Sequence, residues 1–106
     1  MEKFKLADMK GGWFVGAFSP VALSSEACEV ACKHYRAGDH EPSHLHQIAT
    51  EVTLIAAGRV RMNGVEHAAG DIILIRPGEA TDFHALEPST TMVVKIPSVP
   101  GDKYMV

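Results

Sequence analysis

The chain has 106 residues, 46% hydrophobic and 22% charged, with 10 basic against 13 acidic side chains for a net charge of −3. That length supports one hydrophobic core, so residues 1–106 are read as a single domain. The composition excludes a disordered polyelectrolyte, and a mildly acidic chain without a basic stripe excludes nucleic acid as the expected partner. No apolar run approaches the roughly 20 residues needed to cross a bilayer. The opening MEKFKLADMK alternates charged and apolar residues, unlike a secretory signal, so the expected compartment is the cytoplasm.

No segment of ten or more residues keeps a 3.6-residue apolar period; short β-rich runs between glycine, proline and polar clusters recur instead. Trp13 to Phe18 (WFVGAF) is the first, broken by Ser19-Pro20, and Val21 to Glu26 reads as a connection. Cys28 to Arg36 (CEVACKHYR) is a longer strand with two faces. Leu45 sits in a short polar-framed strand, and Glu51 to Ala57 (EVTLIAA) begins the next. Arg59 to Met62 and Val65 to Ala68 flank Asn63-Gly64, the residue pair that a type I′ hairpin turn demands at its two positive-φ positions. Asp71 to Ile75 (DIILI) is apolar enough for a strand covered on both faces. Arg76-Pro77-Gly78 turns the chain, and Thr81 to Leu86 and Thr91 to Ile96 complete the set. The tail, Pro97 to Val106, is expected to lie over the surface. About eight short, closely spaced strands predict an all-β antiparallel sandwich or barrel.

GDHEPSHLHQIATE, Gly38 to Glu51, concentrates the chemistry. On an extended strand His44 and His46 point to one side, because side chains repeat every second residue. Glu51, five residues past His46, would face the other way unless Gln47 to Thr50 turn the chain. If they do, two imidazoles and a carboxylate form the three-ligand set that leaves coordination positions open. Iron, manganese, nickel or zinc could occupy it.

Gly38, five residues, His44, one, His46, four, Glu51, six, Gly58 is similar from end to end to the first motif of the cupin family. Gly70-Asp71, an apolar strand and Pro77-Gly78 resemble the opening of the second. The resemblance implies a double-stranded β-helix, or jelly roll, with its barrel core over about residues 27–96. It also implies a divalent transition metal held by His44, His46 and Glu51, with a small polar ligand bound at it. The family's further histidine would fall at Thr81. The fourth ligand is then His84, Asp82 or Thr81, or is absent; a bulge at Ala80 or Thr81 would turn Asp82 and His84 inward. SVPGDKY, Ser98 to Tyr104, is reminiscent of small stand-alone cupins linked to sugar nucleotides.

Metal-dependent chemistry on a small polar substrate is therefore the leading reading. A metal-free isomerase or epimerase is the alternative, with His44 or His46 as general base and Tyr35 as acid. A non-catalytic ligand-binding module is the third. His40 reads as a solvated loop residue and His67 as exposed. His34 shares a strand face with Cys28, Val30 and Cys32, while Lys33 and Tyr35 lie on the opposite one, either of which could line the interior. Cys28 and Cys32, four apart without a second pair, read as small buried thiols. Uncovered strand edges, with Trp13 and Phe14 near the N-terminus, predict a homodimer.

Overall fold

A computed structural model describes residues 1–106. Two single turns of 3₁₀ helix, Leu6–Asp8 and Lys10–Gly12, lead into eleven strands. They are β1 (Trp13–Gly16), β2 (Leu23–Ser24), β3 (Glu29–Tyr35), β4 (His40–Leu45), β5 (Thr50–Ala57) and β6 (Arg59–Met62), followed by β7 (Val65–Ala68), β8 (Ile72–Ile75), β9 (Thr81–Ala85), β10 (Ser89–Ile96) and β11 (Tyr104–Met105). No helix is long and apolar enough to cross a membrane.

The strands form two sheets, β2-β1-β3-β10-β5-β8 and β11-β4-β9-β6-β7, with every pair antiparallel except β1 with β2. From β3 onward successive strands alternate between the sheets, apart from the β6-β7 hairpin, and the two inner faces enclose one core, as in a jelly roll. The hairpin forms where Asn63-Gly64 specifies it: both residues take positive φ, 49° and 78°, and Met62 pairs with Val65.

The period-2 pattern of β3, β5 and β10 settles which face is inside. Glu29, Ala31, Lys33 and Tyr35 point inward from β3, with Thr53 and Ile55 from β5 and Thr91 and Val93 from β10. Ile55, Val60, Met62, Ile75, Phe83 and Ala85 form the buried cluster at one end. Burying a side chain of this size is worth about 1.5–3 kcal/mol.

The outer face of the six-stranded sheet is also apolar. The ladder places Ile72, Leu54, Met92 and Cys32 in one row and Leu74, Val52, Val94 and Val30 in the next. Here the sequence expectation is corrected. DIILI is not covered on both faces: β8 is an edge strand, with Ile72 67% and Leu74 47% exposed. A continuous apolar run records what both faces of a strand prefer to touch, not whether this chain supplies the cover.

The tail departs from expectation too. Ser98 and Asp102 are buried, and β11 adds to the five-stranded sheet beside β4. Cys28 and Cys32 are free and half-buried.

Candidate metal and ligand site

β4 belongs to one sheet and β5 to the other, so the residues between them cross from sheet to sheet. His44 lies near the end of β4, His46 just beyond it, and Glu51 at the start of β5. This crossing overcomes the odd spacing between His46 and Glu51. A bulge helps upstream. Between the pairs Glu41↔Phe83 and His44↔Thr81, β4 spans one residue more than β9. Glu41 and His44, three apart, therefore both face inward.

All of these residues line a single cavity of about 140 Å³. His46 is 6% exposed, and its Nε2 lies 3.5 Å from Glu51 Oε1. Thr53 donates its hydroxyl to Glu51 Oε2 at 2.9 Å. The His44 and His46 rings stand 5.4 Å apart, nearly perpendicular.

Each of these rings has its Nδ1 against a main-chain carbonyl: His44 on Pro42 O at 3.0 Å, His46 on Asp102 O. A carbonyl only accepts, so Nδ1 carries the proton in both, and each neutral ring keeps its lone pair on Nε2. Ligating histidines are commonly oriented and set in one tautomer by this kind of hydrogen bond. In donor type and tautomer the set fits a divalent transition metal. As they stand, no three His, Cys, Asp or Glu side chains cluster closely enough to close around an ion.

Asp102 holds this corner together, although the sequence did not single it out. Its Oδ1 accepts the Gln47 N–H at 2.9 Å, and its Oδ2 accepts those of Ile48 and Ala49 at 3.1 and 2.9 Å. One carboxylate thus ties down the turn that carries His46, while the same residue's carbonyl orients the ring.

The remaining candidates fall elsewhere. Thr81 lines the cavity and Phe83 is buried, so β9 keeps its regular phase and the irregularity sits on β4. His84 is exposed on the outer face, stacked on His40 with ring centroids 5.5 Å apart, and does not join His44, His46 and Glu51. Asp82 reaches the cavity lining, but its Oδ1 accepts the Asn63 N–H at 2.7 Å. His34 lies outside, beside Thr90, and His67 is half-buried on β7.

Across the cavity, Tyr35 donates its hydroxyl to Glu41 Oε1 at 3.0 Å, and Lys33 Nζ lies 3.5 Å from the same oxygen. Burial first, and then the Glu41 charge, push the Tyr35 hydroxyl far above the ordinary phenol range, so it keeps its proton. Lys95 pairs with buried Glu29 at 3.2 Å. Both ammonium groups lie over the Trp13 ring, at 5.2 and 4.8 Å from its centroid.

The hydrogen bond with Glu51 raises His46 above the ordinary imidazole value, outweighing its burial. Burial would raise Glu51, but the His46 ring and the Thr53 hydroxyl outweigh it and hold that carboxyl low. In metal-free protein, the His46 contribution is complete below the unfolded value of about 6.5 and lost as pH rises through the folded one. The Glu51 contribution is present above about 4.3 and lost as pH falls through its lowered value. Urea midpoints of metal-free protein should peak between these values. His46→Gln should flatten the alkaline decline, and an unchanged profile would contradict the pairing.

Comparison with known proteins supports the architecture. No family model matches the chain, and no curated protein matches it. Solved structures do. A Klebsiella pneumoniae protein with a double-stranded β-helix domain superposes with a TM-score of 0.70 at 22% identity, over 77% of this chain and 72% of its own. The chain has the cupin fold. An RmlC-like cupin from Shewanella frigidimarina aligns with a TM-score of 0.65 at 16% identity, over 71% of this chain and 70% of that one. KdgF from a Halomonas species gives 0.64 at 19% identity, over 71% and 74%. The cavity of this cupin barrel opens between its two sheets, and the first-motif residues His44, His46 and Glu51 lie on its wall.

Proposed function

We propose that this cupin barrel holds a divalent transition metal through Nε2 of His44, Nε2 of His46 and the Glu51 carboxylate, and binds a small polar ligand beside it. The observation that carries the reading is that both histidines have their Nδ1 atoms committed to carbonyls, which leaves two Nε2 lone pairs for a cavity that already holds Glu51. Nε2 of neutral His46 and Oε1 of Glu51 face each other as two acceptors 3.5 Å apart, an arrangement that calls for a cation, either a proton or a metal ion.

A bound ion supplies Lewis acidity toward an oxygen of the ligand and leaves open positions where that ligand can bind. The chain does the rest. Asp102 fixes the His46 turn, Thr53 orients Glu51, and Tyr35, held protonated, remains a hydrogen-bond donor rather than the acid of a metal-free mechanism. The cavity of about 140 Å³ is lined by these side chains and can admit a small polar ligand.

Zinc or manganese should raise the melting temperature of the wild-type protein and of His84→Ala and His40→Ala equally. It should leave His46→Ala and Glu51→Ala unmoved. Equal stabilisation of wild type and His46→Ala would overturn the assignment.

The partner surface belongs to the same proposal. Trp13 faces the cavity beneath two lysines. The two apolar rows on the outer face, free of charge and continuous over four strands, suit a second copy packed about a two-fold axis. Light scattering should give twice the 11.4 kDa chain mass, and Leu54→Lys with Leu74→Lys should halve it. A wild-type monomer at every concentration would refute the dimer.

A further inference from the structure

The outer face of the five-stranded sheet carries two histidines that the cavity does not use. His40 on β4 and His84 on β9 stand directly opposite each other, and both are exposed. One step along the ladder, the Ala85 N–H donates to Asp39 O at 2.9 Å. Hydrogen-bonded and non-hydrogen-bonded pairs alternate between antiparallel strands, so His40 and His84 form a non-hydrogen-bonded pair, the kind whose side chains approach more closely. Their rings accordingly stack, with centroids 5.5 Å apart and planes 15° from parallel. The histidine ring nitrogens that hydrogen-bond within the molecule belong to His34, His44 and His46, so those of this pair are uncommitted. Arg61 on β6 stands opposite His84 on its other side, with its guanidinium 3.8 Å from Glu66, which offsets its charge. No strand pairs with β4 on the far side of His40, because β11 reaches only His44 and Leu45.

We propose that His40 and His84 form a second metal site, for a copper(II) ion, on the outside of the barrel. Each imidazole supplies one nitrogen at about 2.0 Å, and the sheet fixes both backbones, so closing on the ion costs only the freedom of two side chains. Copper(II) accepts two such nitrogens with water in its remaining planar positions, and it heads the affinity order for imidazole ligands. Zinc, nickel and manganese stand lower, and two imidazoles without a third protein ligand release them readily. The bulge on β4 creates the pair: Glu41 and His44 turn inward, while His40 stays outside across from His84. The site shares no residue with the cavity set of His44, His46 and Glu51.

Copper(II) titration followed by electron paramagnetic resonance tests this, in protein carrying His44→Ala and His46→Ala so that the cavity imidazoles are gone. About one copper ion per chain should bind, with a nitrogen-ligand spectrum. Adding His40→Ala or His84→Ala should each weaken it at least about tenfold, while His34→Ala and His67→Ala should each change it less than about twofold. Circular dichroism confirms that each variant is folded. No copper binding, or full affinity after both His40→Ala and His84→Ala, would overturn the proposal. Should the cavity double variant not fold, the other chains decide: wild type should take about two copper ions, and His84→Ala about one. A single ion in wild type that is lost in His84→Ala but kept in His46→Ala would leave the pair standing while the cavity reading fails. A single ion lost in His46→Ala but kept in His84→Ala would do the reverse.

Discussion

Replacing Asp102 by alanine should destabilise the metal-free protein by about 2–4 kcal/mol, far beyond what one residue four positions before Val106 would ordinarily carry. Its carboxylate accepts three consecutive main-chain N–H groups, of Gln47, Ile48 and Ala49. Of these residues Ala49 is buried, so water cannot freely replace the lost acceptor there. Burial would raise the Asp102 carboxyl, but these N–H groups outweigh it and hold it low, as expected for a carboxylate bonded in its charged form. The same change should weaken zinc about 10–100-fold, because the carbonyl that orients His46 belongs to a tail no longer tied down. Asp102→Asn should fall between, keeping one acceptor oxygen. Urea denaturation of metal-free protein and zinc titration read the two effects separately. A loss below about 0.5 kcal/mol, the range of ordinary surface substitutions, would show that the tail merely covers the turn.

Gly58→Ala should cost a further kind of stability, about 2–5 kcal/mol, without touching the cavity. Gly58 takes φ +88°, a left-handed conformation that a side chain strains. A Cβ there would also run into Pro88 O and Ser89 Oγ, and would lie 2.8 Å from Ser89 Cα. Two of these three atoms are rigid backbone, so the neighbours cannot move aside cheaply. Gly38 gives the control. Its φ is +89°, but nothing lies within 4 Å of the added Cβ, so Gly38→Ala should cost only the backbone strain of about 1–2 kcal/mol. Equal losses at the two glycines, measured by thermal melts, would contradict the close approach of the chain after β9. The two glycines that bracket the His-x-His segment thus have different reasons to be there: one for a turn, the other for a turn and a tight contact.

Much of this was legible in the sequence, for identifiable reasons. The Asn63-Gly64 hairpin is specified by two adjacent residues, and the strand positions follow from period-2 patterning. The placement of His44, His46 and Glu51 in one cavity follows from a motif of fixed spacing, once the turn at residues 46–49 is granted. What could not be read is non-local. The sequence left open which face of Cys28 to Arg36 is inside, because both faces mix polar and apolar residues; the second sheet decides it by packing over the face that carries Lys33 and Tyr35.

The tail was misread because Pro97 to Val106 has the composition of a loop. The signal was Asp102 after Pro100-Gly101, a turn followed by a residue that readily accepts main-chain N–H groups, but its partners lie more than fifty residues away. A bulge on β9 would have turned His84 inward, but the bulge occurs on β4, across the same ladder. That difference keeps His84 on the outside and brings Glu41 into the cavity. Lys95 and Thr91 were hidden for a simpler reason: a lysine or threonine on a central strand gives no local sign that it faces inward.

The central claim is that His44, His46 and Glu51 hold a divalent ion, and elemental analysis tests it most directly. Protein exposed to zinc, manganese, nickel or iron(II) and then dialysed should retain about one ion per chain of at least one of these metals, with His46→Ala retaining none. Wild-type protein that retains no metal after all four exposures, or His46→Ala that retains as much as wild type, would contradict it.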